Sequence, residues 1–467
     1  MASLSVDQHR ALLADLVAPL APQVLPVADC RGLVLAQNVE ARVPVPPFTN
    51  SAMDGFALRA SDLARAAPTR LPVVGDVPAG ATEEVSLPPG SAVRIMTGAP
   101  VPAGADTVVK VELTDHGGLG PAPEAVTIEA GAPARANVRL QGEVVGVGAT
   151  VLRRGNVLDP VGISAAVSVG YGELLVHPRP RVAVVATGSE LRPPGQPLGH
   201  GQIPDSNSLL MRGLVEEAGA QVVASIVCGD DPAELRRALA ACPELDLVVT
   251  AGGISAGAFE VVRQTLAGGA VFHHVAQQPG GPQGCGHVAL PGGRNVPVIC
   301  LPGNPVSVYV SFYAYVRGVI GCLRGEARTV LPPRTVAAVA GADWAAPAGK
   351  VQLIPVRLVG SAPSGVPLVV PVHELGSRSH LVTALPLADA IAVVPPRPAG
   401  PAGEAGVRRA GELEGAGLAG AAAAPRGQRG VSAGDRLEII PVGWSAQPAQ
   451  HPADYEEKDS DDRPHPA

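Results

Sequence analysis

Residues 181–323 alternate short, unbroken apolar runs with segments in which apolar residues recur at helical spacing. The clearest runs cover residues 181–186, 245–249 and 298–301, which are apolar apart from Arg181 and Asp246, and each is followed by a glycine within three residues. Strands that are buried on both faces read as continuous apolar runs, and helices between such strands make the sheet parallel. This pattern restricts the segment to a three-layer α/β domain with a parallel-rich sheet.

Glycine and small polar residues follow the ends of the predicted strands. In an open parallel sheet the ligand lies at the carboxyl ends of the strands, where glycine lets backbone N–H groups approach an anion. We therefore expect a nucleotide or another oxyanion to bind at this edge. The residues predicted to bind it are Thr187, Gly188, Ser189, Asn207, Gly252, Gly253, Ser255, Pro302, Gly303, Asn304 and Pro305.

Four carboxylates, Glu190, Asp205, Asp230 and Asp231, belong to the same set of strand-end segments. Carboxylate oxygens hold Mg²⁺ against substrate phosphates through one or two protein contacts and water. We predict a Mg²⁺ site with Glu190, Asp205 and Asp231 as ligands. For Asp231 a second interpretation stays open, because an aspartate before Pro232 is also typical of a helix cap.

The segments outside this domain follow other patterns. Ser5 and Gln8 have capping-box spacing and open a helix predicted to end at Pro22. Residues 49–141 and 330–443 contain short β-branched segments broken by glycine and proline, which is typical of small β domains. Residues 398–430 predict a flexible insertion and residues 444–467 a disordered tail, since neither can bury apolar surface.

Charge and composition exclude several classes of protein. The chain has 35 Lys and Arg against 42 Asp and Glu, for a net charge of −7, with five Phe, five Tyr and two Trp. It offers neither a basic block for phosphates nor aromatic residues for base stacking, so we expect no nucleic acid partner. The clearest apolar runs stop well short of the ~18 residues of a membrane helix. The six cysteines are scattered and form no CxxC pair, which is typical of reduced thiols. We therefore expect a cytoplasmic protein without a membrane partner.

A second cluster covers residues 50–57 and 94–100, and taken alone it reads as a polar turn and a strand end. With the strand-end segments it forms an ordered set of seven motifs: Asn-Ser-Ala-Met-Asp-Gly, Arg-Ile-Met-Thr-Gly-Ala-Pro, Thr-Gly-Ser-Glu-Leu, Asp-Ser-Asn, Gly-Asp-Asp, Ala-Gly-Gly-Ile-Ser and Leu-Pro-Gly-Asn-Pro-Val-Ser. The set resembles the molybdopterin molybdenumtransferase family, which includes MoeA and the E domain of gephyrin. The resemblance extends from residue 7 to residue 442.

The resemblance implies a multidomain α/β plus β architecture and an elongated homodimer. A dimerisation domain would take residues 1–48 and 142–177, and a small β domain residues 49–141. A molybdopterin-binding-like domain would take residues 178–326, and a C-terminal β barrel residues 330–443. The active site would lie between the α/β domain of one subunit and the small β domain of the other.

The resemblance also implies the reaction. Family members take adenylylated molybdopterin and molybdate, cleave the pyrophosphate bond with Mg²⁺, release AMP and leave molybdenum on the dithiolene. The catalytic residues implied for this chain are Asp54, Thr97, Glu190, Asp230 and Glu260, and Ser51 would join the binding residues.

Four positions lose a charged group of the family pattern, and a fifth, Glu260, keeps a carboxylate that is one methylene longer. Val144 stands where the family has an acidic residue, Gln278 and Gly281 where it has lysines, and Pro355 where it has an arginine. Removing one charge-assisted hydrogen bond from an anion site costs about 1.5–3 kcal/mol. Other cations could compensate, namely Arg139, Lys350, Arg357 and Arg378.

These departures keep a second hypothesis open. The chain could be a catalytically altered or inactive homologue that binds a pterin, a nucleotide or a partner protein. A third hypothesis, a metallohydrolase, has little support, because His273, His274 and His287 show no metal-ligand spacing.

Overall fold

The computed structural model describes residues 3–64, 68–117, 120–129, 131–242, 244–254, 260–326, 331–376, 378, 381–396 and 430–442. The chain forms two compact units, Pro22–His177 on the one hand and Met1–Ala21 with Pro178–Ala467 on the other. The predicted insertion, apart from Gly430, and the predicted tail lie outside the described residues.

Short strands dominate both units. The α-helices are α1 (Val6–Ala14), α2 (Pro160–Ser168), α3 (Asn207–Glu217), α4 (Pro232–Ala240), α5 (Val261–Thr265), α6 (Pro305–Ser311) and α7 (Arg317–Leu323). The strands of the Pro22–His177 unit are β1 (Gln23–Pro26), β2 (Val34–Leu35), β3 (Val39–Glu40), β4 (Asn50–Ser51), β5 (Gly55–Leu58), β6 (Thr69–Val77), β7 (Ala92–Ile95), β8 (Thr107–Lys110), β9 (Ala125–Ile128), β10 (Val138–Arg139), β11 (Thr150–Leu152) and β12 (Glu173–His177).

The second set of strands belongs to the other unit. These strands are β13 (Arg181–Thr187), β14 (Leu191–Arg192), β15 (Ile203–Pro204), β16 (Gln221–Cys228), β17 (Leu247–Ala251), β18 (Ala270–His274), β19 (Gln277–Gln278), β20 (Pro282–Leu290), β21 (Arg294–Leu301), β22 (Val336–Ala340), β23 (Val351–Ser361), β24 (Pro367–Pro371), β25 (Ala390–Val394) and β26 (Arg436–Pro441). Helix α1 has the predicted capping box, with Gln8 N–H donating to Ser5 Oγ over 3.1 Å. It ends at Ala14 instead of Pro22, since the following segment is tied down by Leu20 N–H donating to Leu323 O.

The predicted α/β domain is a six-stranded sheet in the order β16-β13-β17-β21-β20-β18. Strands β16, β13, β17 and β21 are parallel, and β20 runs antiparallel to both of its neighbours. Along β13, Val182 and Val184 pack in one core cluster with residues of α3, α6 and α7, whereas Ala183 and Val185 pack in another with residues of α4 and α5. Helices therefore cover both faces, and the three-layer prediction is confirmed.

Helices α6 and α7 are joined by the π-helical turn Phe312–Val316 into one continuous helix. Among the described residues this helix, Pro305–Leu323, is long and apolar enough to span a membrane, and most of it is buried. The sequence expectation that no segment reaches this length is thus corrected. Serines, tyrosines and Arg317 interrupt the apolar run, so a search for unbroken runs misses the helix. Its burial against the sheet makes it a core helix.

One β assembly precedes the α/β domain in the chain, and another follows it. In the C-terminal region β23, β24, β22, β26 and β25 pair in sequence, and β25 pairs back with β23, so the predicted barrel is closed. In the Pro22–His177 unit a five-stranded sheet has the order β8-β5-β7-β6-β9. There β12 pairs with β1 and β2, which joins the two segments predicted to share a domain. Helix α1 packs in the other unit, and the predicted domain boundaries stay a prediction.

A histidine pair is buried under α1. His9 is 0% exposed, and its ring packs edge-to-face on His273 and on Tyr315, with ring centroids 4.9 and 4.7 Å away. His9 Nδ1 lies 2.9 Å from His273 Nε2. Burial, followed by the neighbouring His273 and Arg10, lowers the pKa of His9 from 6.5 to about 3. The folded protein therefore keeps His9 neutral where the unfolded chain protonates it.

This pKa difference predicts a loss of stability in acid. Between pH 6.5 and about pH 3 only the unfolded state gains the proton, so the free energy of unfolding falls as pH falls, by up to ~1.4 kcal/mol per pH unit. A His9→Phe variant should show a smaller fall. Urea unfolding of both proteins at pH 7.5 and pH 5 measures the difference. An identical pH dependence would show that His9 does not cause it.

Candidate active site

The carboxyl ends of the four parallel strands meet at one edge of the sheet. The register pairs Thr187 with Cys228, Ala186 with Ala251, and Ala251 with Leu301. The loops after β13, β17 and β21 carry most of the predicted binding residues, and Asp230 and Asp231 follow β16, so the structure places them along one edge of the sheet, here called the crevice. Ser255 lies outside the described residues, and Glu260 is the residue before α5.

Two glycines close the centre of the crevice by backbone contact. Gly252 has a φ of +94°, and a Cβ there would lie 2.7 Å from Thr187 O. Gly253 has a φ of +64°, and its Cβ would lie 2.9 Å from Thr187 Oγ1. The N–H groups of Gly188 and Gly252 donate to Cys228 O and Leu301 O, both over 3.1 Å. The N–H groups of Gly188 and Gly252 are therefore used between strand ends and are not free for an anion, and glycine at 252 and 253 permits the close packing on Thr187.

The β13 turn and the β16 turn are linked by a side-chain hydrogen bond. Ser189 Oγ donates to Asp230 Oδ2 over 2.5 Å. Glu190 folds back on Gly188, since a Cβ at Gly188 would lie 2.5 Å from Glu190 Oε2. Ser189, Glu190 and Asp230 are all exposed, which leaves two carboxylates accessible at neighbouring strand ends.

Two of the predicted metal ligands already have structural roles. Asp205 is 3% exposed, and its two oxygens accept from the N–H and the hydroxyl of Ser208 in the first turn of α3. Asp231 caps α4, where its Oδ1 accepts from Ala233 N–H over 2.9 Å. In the structure Asp231 is therefore a helix cap, as the second interpretation predicted. Among the described residues no cluster of three or more His, Cys, Asp or Glu side chains could hold a metal.

Asn207 joins α3 to the last turn of the crevice. Its Nδ2 donates to Gly303 O over 2.7 Å, and that turn continues through Asn304 and Pro305 into α6. Asn207 Oδ1 and Thr187 Oγ1 are buried, and neither has a hydrogen-bond partner in the described part of the chain. Buried polar atoms are nearly always satisfied. A polar ligand or an ordered water inside the crevice would supply the hydrogen bonds that these two oxygens lack.

The other unit holds the second predicted cluster. Asp54 Oδ1 accepts from Thr97 N–H over 2.6 Å and from Thr97 Oγ1 over 2.7 Å. These two donors hold the pKa of Asp54 below its usual value. Asp54 is therefore an anion at neutral pH and suits charge stabilisation better than proton transfer. Ser51 is fully buried, and its hydroxyl donates to Met53 O, so its role here is to hold the turn.

A small cleft opens beside Asp54, and the sequence analysis assigned no role to its other polar residues, Arg94 and His116. The cleft is lined by Asp54, Gly55, Phe56, Arg94, Met96, Val111 and His116. Arg94 Nε and Nη2 donate to the two oxygens of Asp76 over 2.9 and 2.5 Å. Arg94 lies within the apolar strand β7, and a buried charge requires a partner. Its position could therefore have indicated a polar site from the sequence.

Three consecutive regions of the chain match known protein families. The MoeA N-terminal region (domain I and II) matches residues 4–170, the probable molybdopterin binding domain residues 183–321, and the MoeA C-terminal region (domain IV) residues 337–406. Molybdopterin molybdenumtransferase 2 of Mycobacterium tuberculosis is 42% identical over 360 residues, which cover 74% of this chain and 86% of that protein. The chain belongs to the molybdopterin molybdenumtransferase family.

Other members of the molybdopterin molybdenumtransferase family match at similar length. Molybdopterin molybdenumtransferase 1 of M. tuberculosis is 32% identical over 416 residues, covering 84% of this chain and 95% of that protein. The enzyme of Haemophilus influenzae is 35% identical and covers 71% and 80%. The solved MoeA protein of Pyrococcus horikoshii superposes with a TM-score of 0.70 at 24% identity, covering 95% of this chain and all of that one, which shows the fold.

The four departures from the molybdopterin molybdenumtransferase motifs differ in their surroundings. Val144 is 71% exposed, and Gln278 is exposed at the end of β19. Pro355 is buried in the barrel strand β23 opposite Ile391. Gly281 is buried, and a Cβ there would lie 2.3 Å from the imidazole of His274. A lysine at position 281 would therefore displace His274.

Proposed function

We propose that this chain inserts molybdenum in molybdenum cofactor biosynthesis. It would bind adenylylated molybdopterin and molybdate, cleave the pyrophosphate bond with Mg²⁺, and release AMP while molybdenum remains on the dithiolene. The observation that carries the proposal is the crevice, where predicted binding residues and carboxylates from four strand ends share one edge of the sheet with two orphaned buried oxygens. The near full-length similarity to named transferases supports the same reaction.

The crevice residues would bind the substrate and hold it still. Thr187 and Asn207 offer their unpartnered oxygens to polar groups of the ligand. The contact of Gly252 with Thr187 fixes the spacing between β13 and β17. Holding a reacting group in a fixed position removes several kcal/mol from a barrier, of the order of 7–11 kcal/mol in well-oriented systems.

Glu190 and Asp230 are the residues that fit Mg²⁺. Both carboxylates are exposed at neighbouring strand ends, and Ser189 orients Asp230. Mg²⁺ commonly takes one or two protein carboxylates, with water and substrate phosphates as its other ligands. When bound, the ion would neutralise charge that develops on the phosphate oxygens. Asp205 fits less well, because Ser208 already occupies both of its oxygens.

Asp54 and Thr97 would be contributed by the partner subunit of a homodimer. Helix α2 supports such an assembly, because it exposes Val161 by 74% and Val167 by 52%. Val144 and Val147 in the same unit are 71% and 69% exposed. Covering these side chains on association would remove apolar surface from water, which would favour a protein–protein contact.

A charge on α2 tests this assembly. Val161→Asp should convert the dimer to monomers, because a carboxylate buried in an apolar interface costs several kcal/mol. AMP release should then fall at least tenfold, since the site would be without Asp54 and Thr97 of the partner. Val359→Asp, at a 45% exposed valine of the barrel strand β23, is the matched control. Light scattering reports the mass, and a monomeric wild-type protein with full activity would contradict the prediction.

The reaction itself is tested with purified protein, adenylylated molybdopterin, Mg²⁺ and molybdate. We expect AMP release that requires both the protein and molybdate. Gln278→Lys restores the missing cation at an exposed position. Failure of the wild-type chain to release AMP, together with release by the Gln278→Lys variant, would refute the transferase proposal.

One further candidate function has specific support. A catalytically altered homologue that binds a pterin or nucleotide is favoured by the substitutions at Val144, Gln278, Gly281 and Pro355. M. tuberculosis carries two transferases of this family, and this chain is 42% identical to one and 32% to the other, so copies can diverge. Restoration of molybdoenzyme activity in a cell that lacks its own transferase would exclude this alternative.

A further inference from the structure

Two residues of the loop before β10 have an unusual backbone conformation. Arg135 has a φ of +66° and Asn137 a φ of +56°, and no other non-glycine residue in the described part of the chain has a positive φ. Side chains crowd the backbone in this left-handed region, which asparagine tolerates better than most residues. Such strain persists only where surrounding contacts enforce it, and it concentrates at functional sites. The contacts of this loop therefore indicate what the strain maintains.

The loop binds to β8, an edge strand of the five-stranded sheet. Val108 N–H in this strand donates to the carbonyl oxygen of Ala136 over 2.9 Å. The carbonyl oxygen of Val108 accepts from Asn137 Nδ2 over 2.8 Å. The side-chain amide of Asn137 thus supplies the donor that a backbone N–H of a neighbouring strand would supply. This bond holds Asn137 against the edge of the sheet.

The backbone of Asn137 contacts the segment that carries Asp54. Its carbonyl oxygen accepts from Ala52 N–H over 2.8 Å. Strand β10, which begins at the next residue, pairs with β4, and β4 ends one residue before Ala52. Asn137 therefore connects the edge strand β8 with the start of the turn at residues 52–54.

The other end of this turn is also held on β8. The carbonyl oxygen of Asp54 accepts over 3.1 Å from the N–H of Val111, the residue that directly follows β8. The turn is three residues long, so a displacement at Ala52 moves Asp54 relative to Val111. The same displacement changes the distance from the Asp54 carboxylate to its two donors on Thr97. The geometry of the Asp54 side chain therefore depends on the contact between Asn137 and Ala52.

We infer that Asn137 is a positioning residue, which holds the turn at residues 52–54 against β8 and thereby fixes Asp54 beside Thr97. Position 137 requires a residue that tolerates a positive φ and has a side-chain N–H donor. Glycine meets the first requirement alone, and so does aspartate, whose carboxylate only accepts hydrogen bonds at neutral pH. The effect of this positioning on AMP release rests on the proposed function.

Hydrogen exchange in the full-length protein tests the positioning without turnover. In Asn137→Asp a carboxylate oxygen faces the carbonyl oxygen of Val108, and two acceptors repel each other. Mass spectrometry should show amide exchange roughly fivefold faster in the segments 50–57 and 94–100, because local opening follows the loss of hydrogen bonds. Asn137→Gly keeps the positive φ and loses only the donor, so its exchange should accelerate less.

Steady-state kinetics separates positioning from a role in stability alone. Asn137→Asp should lower kcat for AMP release roughly tenfold or more, since a displaced catalytic group loses rate steeply. KM should stay within roughly twofold of its wild-type value, because Asn137 acts through the turn and not on the substrate. Asn137→Gly should retain more of kcat than Asn137→Asp. A residue that supported stability alone would lower the melting temperature and leave kcat of the folded protein unchanged.

Asn156→Asp is the matched control for both measurements. Asn156 is half-buried like Asn137, but its Oδ1 accepts from Arg153 N–H over 2.8 Å, which a carboxylate does equally well. The inference requires faster exchange and a lower kcat in Asn137→Asp. Either change without the other in an active enzyme would overturn it, and so would unchanged exchange or equal effects in Asn156→Asp. Faster exchange in a protein whose wild-type form releases no AMP would count against the proposed reaction and leave the positioning of Asp54 standing.

Discussion

Replacing Gly252 with alanine is expected to reduce AMP release at least a hundredfold and to lower the free energy of unfolding. The residue has a φ of +94°, and a non-glycine residue there is strained by about 1–3 kcal/mol. Its Cβ would also lie 2.7 Å from Thr187 O, a backbone atom that cannot rotate away. The ends of β13 and β17 must then separate, and a displacement of about 1 Å in a positioned site costs about 10²-fold in rate.

Gly195 provides the matched control for this substitution. It has a φ of +79°, but a Cβ there would meet no atom within 4 Å. Gly195→Ala should therefore show backbone strain alone, with a loss of stability of about 1–2 kcal/mol and nearly unchanged AMP release. Thermal unfolding and a turnover assay separate the two effects. Equal losses of activity in both variants would show that the rate of AMP release does not depend on close packing between the ends of β13 and β17.

Asp54→Asn is expected to slow AMP release roughly a hundredfold to a thousandfold without unfolding the protein. The amide keeps the shape of the carboxylate but removes its charge, and a missing electrostatic contact in an active site has effects of this size. Thr97→Val should have a smaller effect, because it removes the hydroxyl donor and leaves the Thr97 N–H. The comparison isolates the charge of Asp54 from its hydrogen-bonded geometry.

The pH dependence of these variants has a definite sign. The hydroxyl and N–H of Thr97 lower the pKa of Asp54 below its ordinary value of 3.8, so the charge of Asp54 persists as the solution becomes acidic. Removing the hydroxyl in Thr97→Val raises that pKa, and the acid limb of activity should move to higher pH. Asp115→Asn is the control, since Asp115 is also an exposed carboxylate that accepts from a backbone N–H, that of Thr127. A comparable loss in Asp115→Asn would refute a specific role for Asp54.

The architecture was largely predictable because residues buried on both faces of a sheet must be apolar, and such runs can be read from the sequence. Strand β13 is covered on both faces, so its residues 182–186 are all apolar and all fully buried. The capping box at Ser5 and the caps at Asp159 and Asp231 are local patterns of neighbouring residues. The long helix Pro305–Leu323 was not predictable as an apolar run, because its serines and tyrosines are buried only by tertiary packing against the sheet.

The candidate site was predictable as a set of residues and much less as a set of contacts. Parallel strands must place their carboxyl ends together, so Thr187, Gly252 and Pro302 could be assigned to one edge. Whether a carboxylate there is available depends on its neighbours. Asp205 is occupied by Ser208, whereas Glu190 remains exposed, and both follow strand-like segments. Sequence patterns alone cannot distinguish the two.

By itself, the sequence determined the alternation of residues 181–323, the sheet that it requires and the edge at which a ligand binds. Periodicity encodes these features because apolar faces must be buried. Tertiary structure alone decided that Gly252 touches Thr187, that Thr97 donates twice to Asp54 and that His274 lies over Gly281. Except for the last of these pairs, the partners stand more than 40 residues apart in the chain. Whether a donor or acceptor has a hydrogen-bond partner depends on differences in distance of a few tenths of an ångström. Only the packing of the folded chain determines these distances.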